Sequence, residues 1–289
     1  MVPDRAGEGA GSTFAKGSED NAPQRARGSA SITVHSDGEI TRLADLHQSG
    51  CARLRLPRTF ADHVEAVAIN TSGGLTGGDQ LRWQGEVGAG ASLTLTTQAC
   101  ERVYRSVGGS ASAETRLIVA EGASLSWLPQ ETILYDGARL ARSLHVEMAA
   151  DAEALLLEPL VFGRTAMGES VRDLALADDW RVTRDGALVH AEAARLSGDA
   201  QSALDRAHVG DGARAFATLV LLSPKAEAKG ADARTIIARG GAAKAAVALF
   251  EDRLAIRLAA RDARALRTTL LPLIAALSPV GSVPRVWRI

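Results

Sequence analysis

The sequence is poor in the side chains from which many binding and catalytic sites are built. Aromatic residues make up 4% of the 289 residues, so few rings are present to stack on a nucleobase or a sugar. The charges nearly cancel, with 33 Lys and Arg residues against 34 Asp and Glu residues. Without a positive excess there is no electrostatic reason to expect nucleic acid or an anionic membrane as a partner. This composition favours a protein surface as the partner.

Cysteine and histidine are too sparse to indicate a disulfide framework or a tight metal site. Cys51 and Cys100 have no neighbouring cysteine, and we expect both to be reduced. The six histidines never occur two or four residues apart, nor beside a cysteine. No compact transition-metal site is therefore written in the sequence. A site assembled from distant residues by the fold stays open.

Long apolar runs are also missing. No window approaches 18 uninterrupted apolar residues, and the N-terminus lacks the basic and then apolar layout of a secretion signal. We therefore expect a cytoplasmic protein. A Gly-x-Ser-x-Gly motif is absent as well, which removes one common signal of a catalytic nucleophile.

The chain divides into a tail and one domain. Residues 1–28 consist mainly of Gly, Ala, Ser, Pro and charged residues, and such a segment buries too little apolar surface to become ordered. We predict a disordered tail there. Regular patterns begin near Ser31 and no linker interrupts them, so residues 29–289 are predicted to form a single domain.

A repeat of nine residues indicates the architecture. Residues 90–98 (GASLTLTTQ) and 122–130 (GASLSWLPQ) are identical at five of nine positions, at an offset of 32 residues, and residues 151–159 are a fainter third copy 29 residues later. Each copy places a Gly or Asp turn before an alternating strand. Repeats of this length are typical of stacked β-layers. The alternative is that a turn followed by alternating Leu is a common β pattern and the similarity arises by chance.

Other alternating or apolar runs predict further strands. They cover residues 51–56, 64–70, 113–119, 132–135, 140–148, 171–176, 180–183, 188–195 and 215–222. Helical spacing is convincing only late in the chain, where Asp262 is a candidate N-cap and Pro272 is expected to kink the helix. A shorter helix is expected at 232–238. The predicted fold is mostly β, a layered, repeat-like strand stack of β-helix-like or sandwich type, with about two α-helices.

The most distinctive stretch is NTSGGLTGGD, which ends at Asp79. Its glycines do not fit a phosphate-binding loop, because no Gly-Lys-Ser/Thr follows and the next residues are a strand. Asp79 would also place a negative charge where a phosphate should bind. We interpret Gly73, Gly74, Gly77 and Gly78 as structural glycines, and Asp79 either as a hydrogen-bonding turn residue or as a functional carboxylate.

Several polar residues lie where strands end. Glu131, Asp136 and Glu169 are carboxylates at turns, where solvated side chains are the expected state. Tyr104 and Arg105 end the most regular strand, and an arginine in this position most often forms a surface ion pair. Cys100 is expected to be a small core residue on an alternating strand.

Together these motifs resemble one known family. NTSGGLTGGD followed by SLTLTTQACERVYRS is similar to the pattern of the urease accessory protein UreD family, also called UreH. GRTAMGE, DWRVTRDGALVHAEAARLSG and the closing PRVWR are similar to the same family. The resemblance covers roughly residues 31–288. The N-terminal tail and Cys100 are the departures from the pattern.

The resemblance implies an assembly factor that is not an enzyme. It would bind the urease apoenzyme and the accessory protein UreF, and through UreF the GTPase UreG, and assist GTP-dependent insertion of nickel into urease. No cofactor would be bound permanently, and Ni²⁺ would contact the protein only in transit. The implied fold is a layered, mostly β structure with a few helices, and an internal passage is one proposed route for nickel.

A transit route needs weak ligands such as carboxylates, hydroxyls and carbonyls, which leave weak sequence signals. On this hypothesis the candidate residues for a tunnel lining or a partner contact are Asp79, Thr96, Thr97, Gln98, Tyr104, Arg105, Glu131 and Glu169. The alternative for these residues is that they only fix turns and strand ends. The alternative for the whole protein is a β-fold enzyme or a module that binds a small molecule or glycan, which predicts a concave pocket with clustered carboxylates or aromatics.

Overall fold

Two β-sheets packed face to face carry most of the chain. The structure is a computed structural model that describes residues 24–59 and 61–288. Most of the predicted tail at 1–28 lies outside the described residues, and the first strand begins at Arg27.

The elements follow one another with short connections, and helices are concentrated in the last third of the chain. The strands are β1 Arg27–Asp37, β2 Ile40–Gly50, β3 Ala52–Arg55, β4 Val64–Asn70, β5 Gln80–Val87, β6 Ser92–Thr97, β7 Glu101–Val103, β8 Ala111–Val119, β9 Ser124–Leu128, β10 Thr132–Leu134, β11 Arg139–Met148, β12 Glu153–Phe162, β13 Leu174–Arg184, β14 Ala187–Gly198, β15 Ala215–Leu222, β16 Lys244–Phe250 and β17 Arg253–Ala260. The α-helices are α1 Ala200–Asp205, α2 Ala226–Ala238 and α3 Ala263–Leu277.

The middle of the chain coils between the two sheets. The first sheet has the order β14-β13-β11-β8-β5-β1-β2, and the second has the order β16-β17-β15-β12-β9-β6-β4-β3, with β10 and β7 attached beside β12. From β5 to β13, successive long strands alternate between the sheets and pair in parallel with the equivalent strand of the previous coil. Antiparallel hairpins extend the sheets at their edges. The predicted layered, β-helix-like stack is confirmed.

The sequence repeats are the layers of this stack. Ser92 pairs with Ser124, and Ser124 pairs with Glu153, so the three copies lie side by side in the register of their alignment. Gly90 and Gly122 have φ of 66° and 63° at the turn before each strand. In the third copy Asp151 replaces the glycine, and its Oδ1 accepts a hydrogen bond of 2.9 Å from the Gly122 amide. The repeat therefore reflects stacking and not chance similarity.

Several predicted boundaries were wrong. Residues 171–176 and 180–183 do not form separate strands, because β13 runs without interruption from Leu174 to Arg184. The second helix begins at Ala226 and not at Asp232, and the structure adds the short helix α1 and the hairpin β16–β17. Alanine dominates these segments, and alanine alone does not separate helix from strand by periodicity.

Two local predictions were confirmed. Asp262 caps α3, with its Oδ1 accepting a hydrogen bond of 2.8 Å from the Ala265 amide. Asp185 and Gly186 have φ of 48° and 77° in the turn between β13 and β14, as a tight hairpin requires.

The apolar core has two parts. One lies between the sheets and includes Trp83, Trp127 and Trp180. The other lies under α2 and α3, on the outer face of the second sheet, and includes Trp287. Among the described residues, no helix combines the length and apolarity needed to cross a bilayer.

Candidate functional site

The glycine-rich loop between β4 and β5 is shaped by close packing. A Cβ on Gly74, whose φ is 146°, would lie 2.4 Å from the Tyr104 ring and 2.8 Å from the Arg102 carbonyl oxygen. A Cβ on Gly77 would lie 1.9 Å from the Ser106 Oγ. The chain therefore needs glycine here because residues 102–106 run directly against the loop. Gly73 and Gly78 have φ of 79° and 89°, which also favours glycine.

Asp79 closes this loop from the inside. Its side chain is 4% exposed. One carboxylate oxygen accepts a hydrogen bond of 2.8 Å from the Ala26 amide, and the other accepts one of 2.8 Å from the Thr76 amide. The structure thus places Asp79 as a turn residue that joins the loop to the start of β1.

Tyr104, Arg105 and Glu169 come together at an open depression, which we call the tyrosine pocket. It has a volume of about 530 Å³ and is lined by Tyr104, Arg105, Tyr135, Asp136, Arg164, Glu169 and Ser170. Both tyrosines of the chain are here, with ring centroids 5.1 Å apart in an edge-to-face arrangement. The Arg164 guanidinium lies 4.5 Å from the centre of the Tyr135 ring.

The charges in the tyrosine pocket are paired. Arg105 forms the predicted surface ion pair, with Asp136, and Arg164 donates to Glu169 from its backbone amide and its Nε, both at 2.9 Å. Partial burial opposes ionisation of Glu169, but these hydrogen bonds from Arg164 outweigh it and lower the pKa of Glu169. Both carboxylates are therefore ionised and neutralised locally.

Two exposed apolar side chains lie within a few residues, along the chain, of residues that line the tyrosine pocket. Val107 follows Arg105 by two residues and is 80% exposed, and Met167, between Arg164 and Glu169, is 76% exposed. Tyrosine, arginine and methionine around a depression are the side chains enriched in protein interfaces. The arrangement suits a protein contact better than a buried ligand.

Thr97 and Gln98 line a smaller cavity beside the glycine loop. This cavity of about 140 Å³ also contains Gly73, Gly74 and Glu101. Burial raises the pKa of Glu101 to about 7, and both of its oxygens lie 3.2 Å from the Asn70 amide nitrogen. Glu101 was not among the residues predicted from sequence. It lies directly after Cys100, in the same motif as the predicted candidates Tyr104 and Arg105.

Thr96 and Glu131 lie in the interior. Thr96 is fully buried, and its hydroxyl donates a hydrogen bond of 2.6 Å to the Leu128 carbonyl. The expectation of a solvated Glu131 was wrong, since its side chain is 1% exposed and accepts hydrogen bonds from Arg267 at 2.7 and 2.9 Å. Glu131 therefore ties α3 to the strand stack. Cys100 lies between β6 and β7 instead of on a strand, with its Sγ 3.3 Å from Glu131.

A second cavity, missed by sequence reasoning, lies between the sheets. This inter-sheet cavity has a volume of about 420 Å³ and separates β13 and β14 from β12, β15 and β17. Apolar side chains form most of its wall, among them Phe162, Trp180 and Phe216. It reaches the surface at Val209, which is 49% exposed. Two buried carboxylates, Glu158 and Asp178, also line it.

One arginine holds these two carboxylates. Arg142 and Asp178 are opposite each other on the paired strands β11 and β13, and Arg142 binds Asp178 through Nη2 at 2.5 Å and Nε at 3.1 Å. The Arg142 Nη1 reaches across the gap to Glu158 at 2.5 Å. Trp127 donates to the other Glu158 oxygen at 2.9 Å. We call Arg142, Glu158 and Asp178 the acid–arginine cluster.

Burial dominates the electrostatics of the acid–arginine cluster. All three side chains are 6–8% exposed. Burial raises the pKa of Glu158, because the attraction of Arg142 only partly offsets it. When both acids are ionised, two carboxylates face one guanidinium and one negative charge remains in excess.

The sequence does carry a weak signal for this cluster. In β11 the buried positions are Leu140, Arg142, Leu144, Val146 and Met148, and in β13 they are Leu174, Leu176, Asp178, Trp180 and Val182. A charged residue at an inward position of an alternating strand marks a buried polar contact. The partners are 16 and 36 residues apart, so only the strand pairing shows that they meet.

The side chains at these sites can bind an ion or a protein surface. Within residues 24–59 and 61–288, no three His, Cys, Asp or Glu side chains come together as a metal site. Two carboxylates on a cavity wall still attract a cation, and hard oxygen ligands hold divalent ions. The inter-sheet cavity is thus suited to brief contact with a cation, and the tyrosine pocket to contact with a protein.

Comparison with known proteins identifies the relatives of this chain. Residues 26–288 match the model of the UreD urease accessory protein family. The chain is 48% identical over 272 residues to the urease accessory protein UreD of Sinorhizobium medicae, covering 93% of this chain and 98% of that protein. It is 45% identical over 274 residues to UreD of a Chelativorans species (94% and 98% covered) and 46% identical over 266 residues to UreD of Mesorhizobium japonicum (92% and 95% covered).

Proposed function

Since this chain belongs to the UreD urease accessory protein family, with a role in urease maturation, we propose that it is a non-catalytic scaffold through which nickel reaches urease. The single observation that carries the proposal is the inter-sheet cavity, which places buried Glu158 and Asp178 on a mostly apolar wall. In this proposal the protein acts in the cytoplasm. It binds the urease apoenzyme and UreF, and through UreF the GTPase UreG.

Weak ligation supports transit. A conduit must release the ion that it accepts, so a site with few ligands is better suited than a closed cage of His and Cys. The inter-sheet cavity offers two buried carboxylates that are already bound to Arg142, and a third, Glu192, that is paired with Arg257. Mostly apolar side chains surround them. Nickel is the cargo of this route and not a resident cofactor.

The tyrosine pocket supports partner binding. Tyr104, Val107 and Met167 expose apolar surface around paired charges, which resembles the composition of interface hot spots. Of the candidate residues from sequence, Tyr104, Arg105 and Glu169 belong to this contact. Thr97 and Gln98 lie in the neighbouring small cavity. Asp79 fixes the glycine-rich loop that packs against Tyr104, whereas Thr96 and Glu131 hold the interior together.

Nickel delivery is tested in cells that express the urease gene cluster. Glu158→Gln keeps the shape and hydrogen-bonding capacity of the side chain but removes its charge. We expect the variant to capture urease in pull-downs as the wild type does, while the nickel content and activity of the captured urease fall. Glu147→Gln is the matched control, because Glu147 forms an exposed ion pair with Arg116. Normal nickel loading with Glu158→Gln, at equal amounts of soluble protein, contradicts the route through this cavity.

Partner binding is tested by pull-down with Tyr104→Ala. Truncation of a hot-spot tyrosine costs at least about 2 kcal/mol, so we expect the affinity for partner proteins to weaken by more than about tenfold. Leu43→Ala is the control, since Leu43 is also partly exposed, at 42% against 37% for Tyr104, but lies on edge strand β2. Equal capture by both variants places the interface elsewhere.

A further inference from the structure

The acid–arginine cluster contains a cation of its own. Arg142 sits between the two carboxylates that line the inter-sheet cavity, but the guanidinium does not line the cavity itself. We propose that Arg142 is a tethered counter-ion that keeps the affinity of Glu158 and Asp178 for a divalent cation low, and so determines that the cation is released. This inference rests on the proposed function, because it assumes that a cation enters the cavity.

The contacts hold Arg142 in place behind the carboxylates. Its three nitrogens contact Asp178 and Glu158, and Nη1 also donates to the Thr132 hydroxyl at 3.2 Å. A guanidinium does not lose its proton in a protein. Burial alone would lower the pKa of Arg142, but the two carboxylates raise it by more and so stabilise the protonated form. The positive charge is therefore permanent and cannot leave when a cation arrives.

The cluster charge then sets the strength of binding. With Arg142 present, two ionised carboxylates leave an excess of one negative charge, which attracts a cation. Without Arg142 the attraction that favours ionised Glu158 is lost, but a cation that displaces the Glu158 proton then meets two carboxylates and no opposing positive charge in a buried site, where charges interact strongly. Carboxylates bind most divalent transition metals without strong discrimination, so charge and not ligand type is the available means of keeping the site weak.

The other charged groups around the cavity do not change this balance. Arg257 pairs with Glu192 at 2.7 Å, and Arg195 pairs with Asp179 at 2.6 Å. Each arginine at the cavity mouth is thus matched by its own carboxylate. The unmatched charge belongs to the acid–arginine cluster alone.

The test is a charge series measured as direct Ni²⁺ binding to the full-length chain, by calorimetric titration at neutral pH. Arg142→Gln removes the opposing positive charge, and we expect Ni²⁺ to bind at least about tenfold tighter, with release of the proton from Glu158, because a full positive charge within hydrogen-bond distance is removed from a site of low dielectric. Asp178→Asn leaves no excess charge, and we expect no measurable binding at the cluster. Arg139→Gln is the control, since Arg139 lies on the same strand in an exposed pair with Asp173, and its affinity should equal that of the wild type.

A double variant keeps the test decisive if Arg142→Gln fails to fold. Arg142→Gln combined with Asp178→Asn has the same excess charge as the wild type, and we expect it to regain the Ni²⁺ binding that Asp178→Asn loses. If the double variant binds no better than Asp178→Asn alone, the counter-ion role is wrong. The same conclusion follows if a folded Arg142→Gln protein binds Ni²⁺ no more tightly than the wild type.

A second readout separates this inference from the proposed function. In cells, Arg142→Gln should lower nickel loading of urease although it binds Ni²⁺ more tightly, because the ion is retained. Tighter binding with unchanged urease loading would overturn the link to release. If the charge series holds in solution but Glu158→Gln loads urease normally, the route through the cavity fails while the effect of Arg142 on affinity remains.

Discussion

The acid–arginine cluster and the tyrosine pocket both contain arginine–carboxylate ion pairs, but the pairs are buried in the cluster and exposed in the pocket. In the cluster, Arg142 and its two carboxylates are almost completely buried and carry an excess negative charge. In the tyrosine pocket, Arg105 with Asp136 and Arg164 with Glu169 are balanced pairs whose arginines are 64% and 47% exposed. Buried charges interact strongly and cannot be screened, whereas exposed pairs contribute little energy. The cluster is therefore suited to controlling an ion, and the pocket to presenting a surface.

The largest expected effect is the loss of stability when the buried arginine is removed, measured against removal of an exposed arginine. Arg142→Leu leaves two carboxylates buried without their partner, and breaking a buried ion pair in this way costs about 3–5 kcal/mol. Arg105→Leu removes an exposed partner, and we expect a loss of about 0–1 kcal/mol. Urea unfolding followed by circular dichroism measures both free energies. Similar losses for the two variants would mean that the cluster is solvated and that the contrast between the two regions is wrong.

A smaller effect tests what does stabilise the tyrosine pocket. The glycine loop packs directly against residues 102–106, and a Cβ on Gly77 would lie 2.4 Å from the Gly108 carbonyl oxygen as well as against Ser106. Gly77→Ala should therefore reduce the free energy of unfolding by about 1–3 kcal/mol through overpacking. It should also weaken partner capture, because Tyr104 and Arg105 lie on the displaced segment.

Gly108→Ala is the control for this prediction. A Cβ on Gly108 would meet no atom within 4 Å, so the substitution should change the free energy of unfolding by less than about 0.5 kcal/mol. If the Gly77→Ala protein were as stable as the Gly108→Ala protein, the loop would have moved at little cost in free energy to accommodate the added Cβ. The pocket would then depend on its ion pairs after all.

The fold was more accessible from sequence than the sites. The repeat at 90–98, 122–130 and 151–159 predicted the stacking, because each layer must present the same turn and the same inward leucines to its neighbour. The hairpin β16–β17 was missed because its alanines carry little periodicity. Glu131 was misjudged because its partner, Arg267, is 136 residues away, and local sequence does not show that α3 packs there.

A site could be predicted from sequence when its residues lie in recognisable local motifs, and not when its residues meet only through strand pairing. The tyrosine pocket gathers residues around the strand ends of successive layers, and so Tyr104, Arg105 and Glu169 could be selected from turns and motifs. The acid–arginine cluster joins two sheets through side chains from three strands, and its only local sign is a charge at an inward position. The identity of a partner strand cannot be derived from one strand alone.

The smallest effect tests a carboxylate of intermediate character. Glu101 is half-buried beside the glycine loop, and burial raises its pKa to about 7. An unfolded glutamate ionises near its ordinary value of 4.5, so between pH 4.5 and 7 the folded state binds more protons than the unfolded state. The contribution of Glu101 to stability is then largest at low pH and is lost as the pH rises to 7. The full shift corresponds to about 3 kcal/mol, and the partial exposure of the side chain reduces the expected loss to roughly 1–2 kcal/mol. Glu169, with its lowered pKa, contributes in the opposite direction, since its stabilisation is lost as the pH falls.

Glu101→Gln removes this dependence while keeping the size of the side chain. Urea unfolding at pH 5 and pH 7.5 should show a smaller decline in the free energy of unfolding for the variant than for the wild type. Glu169→Gln, measured in parallel, should lower the free energy of unfolding by a similar amount at both pH values, because both lie above 4.5 and the contribution of Glu169 is lost only below that pH. If Glu101→Gln and the wild type change equally between the two pH values, Glu101 is solvated in the folded protein. Glu101 would then behave like the carboxylates of the tyrosine pocket, and only the acid–arginine cluster would show the effect of burial.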